Sequence, residues 1–305
     1  MILVFFVSFL VSFCYFFLGN QPKIAGGSER INLVFLGING GNYQPPDLTD
    51  TIMLLSYNRQ SGKTAIFSIP RDLWVPSIRA KINSAYHYGG FDLADKVIEE
   101  VTGQPVHYFF VLDFEGFEKA VDFLGGLQIE VENSFDDYKF PIAGKENDEC
   151  GGDKEYQCRY EHVHFEKGIQ LMNGKTALKY VRSRNAEGDE GTDTARNARQ
   201  QKFLAALKKK IFSPEVLLNP QKIIGLAKIF SSSVVTNLQP AEYFSFGIAF
   251  WRFQSESLKM VVLGKNAQEE LFIHPLTHPS GQWVLVPKNG SWEKVKEFVR
   301  QEMKP

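Results

Sequence analysis

The chain has 305 residues, of which 44% are hydrophobic and 23% are charged. This composition is typical of a folded protein and excludes a disordered chain, a collagen-like chain and a polytopic membrane protein. The net charge is −1, so the chain as a whole offers no electrostatic field for nucleic acid, and we expect no nucleic-acid partner.

The N-terminal segment is strongly apolar. Residues 1–18 carry no charged side chain and include six phenylalanines. As a helix that rises ~1.5 Å per residue, they would extend about 27 Å, close to the thickness of a bilayer core. We predict a transmembrane anchor at 1–20, a linker at 21–29 and one domain at 30–305. A cleaved signal peptide is the alternative, although the end of the apolar run does not resemble a cleavage site.

Hydrophobic periodicity predicts strands that alternate with helices in the rest of the chain. The predicted strands are 31–37, 51–57, 64–69, 108–112, 127–131, 258–263 and 282–286. The predicted helices are 91–102, 114–124, 174–181, 194–212, 214–230, 240–251 and a terminal helix from residue 291, with an insertion of hairpins and loops at 134–168. This alternation predicts a layered α-β-α domain around a mixed central sheet.

Two cysteines flank a glycine-rich, charged segment of the insertion. We interpret Cys150 and Cys158 as a disulfide pair, which favours a location outside the cytoplasm. A zinc half-site with nearby His162 and His164 is one alternative, and two free thiols are another.

Two aspartates lie where a flexible loop meets the second predicted strand. Carboxylates beside glycines at a strand edge suit a hard cation such as Mg²⁺ or Mn²⁺, so Asp47 and Asp50 are candidate ligands. The alternative is an ordinary Asp-Thr turn.

Arg71 follows the apolar strand at 64–69. Strand ends are common ligand sites in α/β sheets, and a guanidinium group can bind phosphate through two hydrogen bonds. An ion pair with Asp72 or with another surface acid is equally consistent with this pattern.

The densest group of basic side chains lies between residues 182 and 200. On the helix predicted at 194–212, i, i+3 and i+4 spacing places Arg196, Arg199 and Gln200 on one face. Arg182 and Arg184 precede that helix, so four arginines form a candidate anion site. In the alternative interpretation, the acidic residues at 187, 189 and 190 neutralise this group.

The chain contains no nucleophile elbow, P-loop, HExxH motif or Rossmann glycine fingerprint. Four histidines stand apart from any partner at catalytic spacing, and we predict that they are structural: His87, His107, His274 and His278.

Taken in chain order, a set of short segments resembles the LytR-CpsA-Psr family of membrane-anchored cell-wall glycopolymer transferases. The matching segments are Asn32–Gly37, Leu48–Thr51, Ser68–Asp72, Lys81–Tyr86 with Gly89-Gly90, Asp113-Phe114 with Gly116-Phe117, Leu124–Gly126, Gly174 with Ala177-Leu178, Tyr180–Arg184 and Arg196–Gln201. Each segment alone is weakly specific, but their shared order across about residues 31–212 is specific.

The resemblance implies a Mg²⁺-dependent enzyme of the cell membrane, with one transmembrane helix and an extracytoplasmic catalytic domain. Its substrate would be a glycan linked to polyprenyl pyrophosphate, and its acceptor would be peptidoglycan. The acceptor hydroxyl would attack phosphorus, and polyprenyl phosphate would leave. The same residues also permit hydrolysis of the lipid pyrophosphate, or lipid-phosphate or glycan binding without catalysis. A transcription regulator is poorly supported, because no helix-turn-helix pattern or basic face is visible.

The resemblance also assigns roles to individual residues. Asp50 would bind the metal, and the pyrophosphate would be bound by Arg71, Arg182, Arg184, Arg196, Arg199 and Gln200, with Arg199 and Asp193 as supporting members. Many family members carry a second metal-binding aspartate where this chain has Asn39. An asparagine oxygen can bind Mg²⁺ without neutralising it, and Asp47 is the substitute.

Overall fold

The structure is a computed structural model that describes residues 29–38, 40, 45–142, 144–145, 148–239, 242, 258–264 and 270–304. The predicted anchor at 1–20 lies outside the described residues, as do the linker up to residue 28 and all but one residue of the helix predicted at 240–251. Within the described part, no helix has both the length and the apolar character needed to cross a membrane.

The strands, in chain order, are β1 (Arg30–Ile38), β2 (Thr49–Asn58), β3 (Thr64–Ser68), β4 (Trp74–Val75), β5 (Ala80–Lys81), β6 (Tyr108–Asp113), β7 (Leu127–Val131), β8 (Phe135–Pro141), β9 (Tyr160–Phe165), β10 (Gly168–Met172), β11 (Val234–Thr236), β12 (Leu258–Val262), β13 (Phe272–Ile273) and β14 (Val286–Pro287). Six of them form a central sheet in the order β11-β6-β1-β2-β3-β12. Strand β1 is antiparallel to β2 and parallel to β6, and β3 is antiparallel to β2 and parallel to β12. The predicted mixed central sheet is therefore confirmed.

The helices of the described residues are α1 (Ala85–Thr102), α2 (Phe114–Phe123), α3 (Gly174–Arg182), α4 (Asp193–Ile211), α5 (Pro214–Leu217), α6 (Pro220–Ser233) and α7 (Glu293–Glu302). Polar side chains cap several helix starts. Asp113, Asn173 and Thr192 accept hydrogen bonds from backbone N–H groups in the first turns of α2, α3 and α4. These bonds satisfy donors that have no partner within the helix.

Three predicted boundaries were wrong. Helix α1 begins at Ala85 instead of residue 91, although its backbone leaves helical geometry at Gly89 and Gly90. The helix predicted at 214–230 is two helices, because Pro220 starts α6 and the Asn219 side chain caps it. Of the strand predicted at 282–286, Leu285 forms a single bridge to Leu73, and Val286 begins β14, which pairs with the short strand β13.

Two hydrophobic cores position the elements. In the first, α1 and α7 pack against one face of the central sheet, with Val34, Leu54 and Phe67 fully buried beneath them. In the second, α2, α3 and α4 pack against strands β7 to β10, and Tyr180 and Phe165 are buried at its centre.

The predicted insertion at 134–168 contains the antiparallel pair β8 and β9. Its loop is closed by a disulfide between Cys150 and Cys158, as the sequence interpretation favoured over free thiols. Phe135, Phe140 and Phe165 from this pair are buried in the second core. The insertion is thus an integral part of the fold.

Candidate active site

Three strand ends bring predicted site residues to one edge of the central sheet. Strands β1, β3 and β6 run in the same direction, so their carboxyl ends meet at the edge where β2 begins. Asp50 is the second residue of β2, and Arg71 follows the end of β3. Ligands of open α/β sheets usually bind at such carboxyl edges.

Asp50 and Arg71 are joined by an ion pair at this edge. The Arg71 Nη1 atom lies 2.5 Å from Asp50 Oδ1, and its Nε atom lies 3.5 Å from Asp72 Oδ2. Burial lowers the pKa of Arg71, but the charges of Asp50 and Asp72 more than offset this effect, so the pKa is raised above its ordinary value. The Arg71 side chain remains 49% exposed, which leaves a charged guanidinium surface open to an anion.

At the end of β1 and just after it, the backbone at Gly37 and Gly40 lies in close contact with β2 and with the start of α2. A Cβ atom at Gly37 would lie 3.0 Å from Thr51 Cβ, and one at Gly40 would lie 2.9 Å from Asp113 Cβ. Gly40 also has a φ of +69°, which glycine adopts without strain. Larger residues at either position would push the loop away from Asp50 and from the start of α2.

Asn39 and Asp47 are the two other predicted metal ligands, and the structure describes only the second. Asn39 lies outside the described residues. Asp47 Oδ1 lies 2.6 Å from Nδ1 of His87, on α1. His87, which we predicted to be structural, therefore positions a candidate metal ligand, a role that no local sequence motif indicated.

Phe114 connects Arg182 to the sheet edge. The Arg182 guanidinium carbon lies 4.2 Å from the centre of the Phe114 ring, a cation–π contact. The same ring lies 3.7 Å from the position of a Cβ atom on Gly37. Arg182 is therefore held beside the residues that flank Asp50. Arg184 follows the end of α3 and is exposed.

The predicted residues of α4 divide into two roles. Arg199 is 3% exposed and donates to the Glu190 carboxylate at 2.8 Å and to the Ser183 carbonyl at 2.8 Å. Burial lowers the pKa of its guanidinium, although Glu190 acts in the opposite direction. Arg199 is therefore already paired with a carboxylate and with the backbone between Arg182 and Arg184, an arrangement typical of a supporting residue; its predicted contact with pyrophosphate stays a prediction.

The environments of Arg196 and Gln200 are consistent with the predicted binding of an anion. Arg196 is half-buried in the first turn of α4, where the helix dipole favours anions. The Gln200 amide donates to the Val181 carbonyl at 3.4 Å, and its Oε1 atom has no hydrogen-bond partner among the described residues. The Asp193 side chain lies outside what the structure describes.

Strand β8 supports the arginines from below, and we call it the platform. The sequence analysis did not predict this role of β8. Asp137 is fully buried and accepts a 2.6 Å hydrogen bond from Ser183, the residue between Arg182 and Arg184. The Phe135 ring lies 4.7 Å from the Arg199 guanidinium, and the Phe140 ring lies 5.8 Å from that of Arg182. Three side chains of one strand thus hold the backbone and the guanidinium groups of the predicted anion site.

The donor chemistry at the sheet edge suits Mg²⁺. Asp50 and Asp47 supply hard carboxylate oxygens, and Mg²⁺ is usually held by one or two carboxylates together with water and substrate phosphates. Among the described residues, neither belongs to a group of three or more ligating side chains. The site therefore fits an ion that protein and phosphate hold jointly, and the protein does not enclose it alone.

A family model matches residues 20–297, and its description is the LytR_cpsA_psr family. The chain belongs to this family. The match covers β1 to β14 and includes every residue of the candidate site.

Three relatives with curated names are between 25% and 29% identical to this chain. The regulatory protein MsrR of Staphylococcus aureus (strain COL) is 28% identical over 283 residues, which cover 90% of this chain and 75% of MsrR. The polyisoprenyl-teichoic acid–peptidoglycan teichoic acid transferase TagV of Bacillus subtilis is 25% identical over 282 residues, 90% of this chain and 65% of TagV. TagT, a B. subtilis transferase of the same description, is 29% identical but matches only 59% of this chain and 52% of its own length.

Solved structures share the fold. The crystal structure of B. subtilis TagV matches 91% of this chain and 99% of its own with a TM-score of 0.60 and 23% identity. A structure of TagT bound to LIIa-WTA matches 93% of this chain and 94% of its own with a TM-score of 0.58 and 22% identity. These likenesses confirm the predicted α/β fold with a mixed central sheet.

Proposed function

We propose that this protein is an extracytoplasmic phosphotransferase that joins a glycopolymer, carried on polyprenyl pyrophosphate, to peptidoglycan through a phosphodiester. Family membership supports the proposal, and relatives with teichoic acid transferase names give the substrate class. The observation that carries it is the sheet edge. There a carboxylate suited to Mg²⁺ pairs with a half-exposed arginine, and Phe114 holds a second arginine nearby.

The reaction transfers a phosphoryl group without a protein nucleophile. A hydroxyl oxygen of a peptidoglycan sugar forms a bond to the phosphorus that bears the glycopolymer, and its proton passes to water. The bond from that phosphorus to the bridging oxygen breaks, and polyprenyl phosphate leaves with that oxygen. Such transfers depend on positioning and charge neutralisation.

The arginines neutralise the charge that this step moves onto oxygen. Arg71, Arg182, Arg184 and Arg196 bind the pyrophosphate, and a guanidinium fork holds two oxygens in a fixed direction. Gln200 supports the set through its bond to the Val181 carbonyl, beside Arg182.

Asp50, together with Asp47, would hold Mg²⁺ or Mn²⁺. The bound ion would supply further neutralisation of the phosphate oxygens. The ion pair between Asp50 and Arg71 places the carboxylate and an anion-binding group side by side.

An apolar cleft beside Asp50 suits the lipid part of the substrate. It lies between the sheet and α1 and has a volume of about 10 Å³, room for about one water molecule, so its lining side chains must move apart before an isoprenoid unit enters. Its lining residues are Leu36, Thr49, Ile52, Ile82, Ala85, Tyr86, Ala94 and Ile98. An isoprenoid chain in water costs ~25 cal/mol per Å² of exposed surface, so a neighbouring apolar site favours its binding. Thr49, one of the lining residues, directly precedes Asp50, so an opening here between α1 and the sheet would receive the isoprenoid unit nearest the phosphate.

The proposal includes a place in the cell. Residues 1–20 form a single membrane anchor, and the catalytic domain faces the extracytoplasmic side. The disulfide between Cys150 and Cys158 supports this side, because disulfides persist in oxidising compartments.

Purified full-length protein, incubated with a labelled glycan on polyprenyl pyrophosphate, tests the function. We expect label to move to peptidoglycan and polyprenyl phosphate to be released only when peptidoglycan is present. Release of soluble label without peptidoglycan would instead identify a pyrophosphate hydrolase. Saturable binding without release under both conditions would identify a non-catalytic binding protein.

A further inference from the structure

A second group of ligating side chains lies on the exposed face of the pair β8 and β9. Asp136 on β8 is directly opposite His164 on β9, and His162 lies two residues away on the same face. Asp136 Oδ1 is 2.6 Å from His162 Nε2 and 2.8 Å from His164 Nδ1. The three ligand atoms all lie within 4.8 Å of one another.

Neighbouring side chains orient both imidazole rings. The Tyr138 ring stacks on His162 with centres 4.2 Å apart and planes 7° apart. On the other ring, His164 Nε2 lies 3.1 Å from a Glu166 carboxylate oxygen. Metal-bound histidines commonly place their second nitrogen against a carboxylate in this way, which fixes the ring and strengthens the ligand.

We propose that Asp136, His162 and His164 bind a zinc ion, with Glu166 as a positioning residue and water at the fourth position. Two imidazole nitrogens and one carboxylate oxygen suit Zn²⁺ far better than Mg²⁺, which prefers oxygen ligands alone. Ligand bonds of about 2.0–2.1 Å in a tetrahedral site separate donor atoms by about 3.3 Å. The donors must therefore move apart by about 0.5–0.7 Å, which these partly exposed side chains can do by rotating.

The other group of three ligating residues among the described residues does not compete for this role. It consists of Asp148, Cys150 and Cys158. Both of its sulfur atoms are joined in the disulfide, and only thiolates bind zinc strongly.

The ion would link strand β8, the platform, to its partner strand β9. Asp136 faces outward, whereas the next residue, Asp137, faces inward and accepts the hydrogen bond from Ser183. Zinc binding at Asp136 is therefore expected to restrain the strand on which the arginine segment rests. The site is separate from the sheet edge in both its elements and its ligand chemistry.

Zinc binding to the full-length protein, measured by equilibrium dialysis and metal analysis without reductant, tests the proposal. We expect one saturable zinc per chain, a rise in Tm with zinc, and no displacement by excess Mg²⁺. The double variant His162→Ala/His164→Ala should lose the site, and Glu166→Gln should weaken affinity by about 10-fold or more. His274→Ala is the matched control, because the His274 ring also stacks on an aromatic side chain, at 5.0 Å, but lies outside the group.

A second measurement applies to the unaltered chain, in case the double variant does not fold. Zinc should protect His162 and His164 from acylation by diethyl pyrocarbonate, while His87 stays reactive. Co²⁺ in place of zinc should give a spectrum without thiolate charge-transfer absorption. The proposal is wrong if zinc does not bind saturably, if binding survives in a folded double variant, or if binding is lost only when Cys150 and Cys158 are replaced.

Discussion

At the scale of single residues, Arg182 and Arg184 carry most of the proposed anion binding. Replacement of both by alanine should lower transfer by about 10²-fold or more, because two guanidinium groups that neutralise the transferred phosphate are lost. Neither residue is buried, so the Tm should stay close to that of the wild type. The single variant Arg182→Lys should keep only part of the wild-type transfer rate, since lysine cannot bind two oxygens as a fork.

The control for the double variant is Arg59→Ala, because Arg59 is exposed in the turn between β2 and β3, away from the carboxyl edge. Its transfer rate should not change. A double variant at Arg182 and Arg184 that transfers glycopolymer at the wild-type rate would exclude the assigned site.

Asp50 is the second decisive residue. We expect Asp50→Asn to lower transfer by about 10²-fold and to raise the Mg²⁺ concentration that gives half-maximal rate, because an amide does not neutralise the ion. Asp47→Asn should have the smaller effect, because the Asp47 side chain is 38% exposed against 18% for Asp50, so water screens its charge more strongly. Rates measured across a Mg²⁺ series check both expectations. If Asp50→Asn shows the wild-type Mg²⁺ dependence, the metal is bound elsewhere.

At the scale of elements, strand β8 supports the arginines through Asp137. Asp137→Ala leaves the Ser183 hydroxyl and the Asn185 N–H without their buried acceptor, at a cost of about 1–3 kcal/mol of unfolding free energy. Transfer should fall as well, although Asp137 itself does not contact the substrate. Denaturant unfolding and the transfer rate, both measured on this variant, test the platform.

Asp153→Ala is the matched control for the platform, because Asp153 is exposed in the same insertion and its carboxylate accepts hydrogen bonds from the nearby backbone N–H groups of Glu155 and Gln157. Loss of stability without loss of transfer in folded Asp137→Ala would show that the arginines do not depend on β8.

A charged clip joins three helices near the end of α4. Glu215 on α5 pairs with Lys210 on α4 at 2.7 Å and with Lys222 on α6. Hydrogen bonds from these lysines lower the pKa of Glu215 from 4.5 to about 2. Because the folded pKa is lower than the unfolded one, the clip stabilises the protein above about pH 4.5, and this stabilisation is lost as the pH falls toward 2.

Glu215→Gln tests the clip. Its Tm should be lower than that of the wild type at neutral pH, and the difference should shrink between about pH 5 and pH 2. Glu155→Gln, at an exposed site in the disulfide loop, should show no such pH-dependent difference. A difference in Tm for Glu215→Gln that is constant over this pH range would contradict the electrostatic explanation.

At the scale of the whole molecule, much of the fold follows from local patterns. Alternation of buried and exposed residues predicts β2, and the 3.6-residue period predicts α2 and α3, because burial of one face dominates in each. The strand order of the sheet is set by long-range pairing and is not visible in such patterns. Asn219-Pro220 divided a predicted helix, since proline starts helices well but lacks the N–H that a continuing helix needs.

Only part of the candidate site could likewise be predicted from local sequence. Arg71, Arg182 and Asp50 stand in recognisable segments, and the structure places them at or beside one sheet edge. Asp137 and His87 act through partners that are 46 and 40 residues away in the chain, so no local spacing identifies them. The nearly balanced net charge likewise conceals the arginines, of which folding pairs Arg71 with Asp50 and places Arg182 over the Phe114 ring.

The central claim is that the arginine group and the apolar cleft together bind a polyprenyl phosphate. The most direct measurement is electron density from crystals grown with such a lipid. We predict that the phosphate lies between Arg71 and Arg182, with the first isoprenoid unit between α1 and the sheet, where the side chains that line the small apolar cavity have moved apart. Density for the lipid phosphate at any site that does not contact these arginines would contradict the claim.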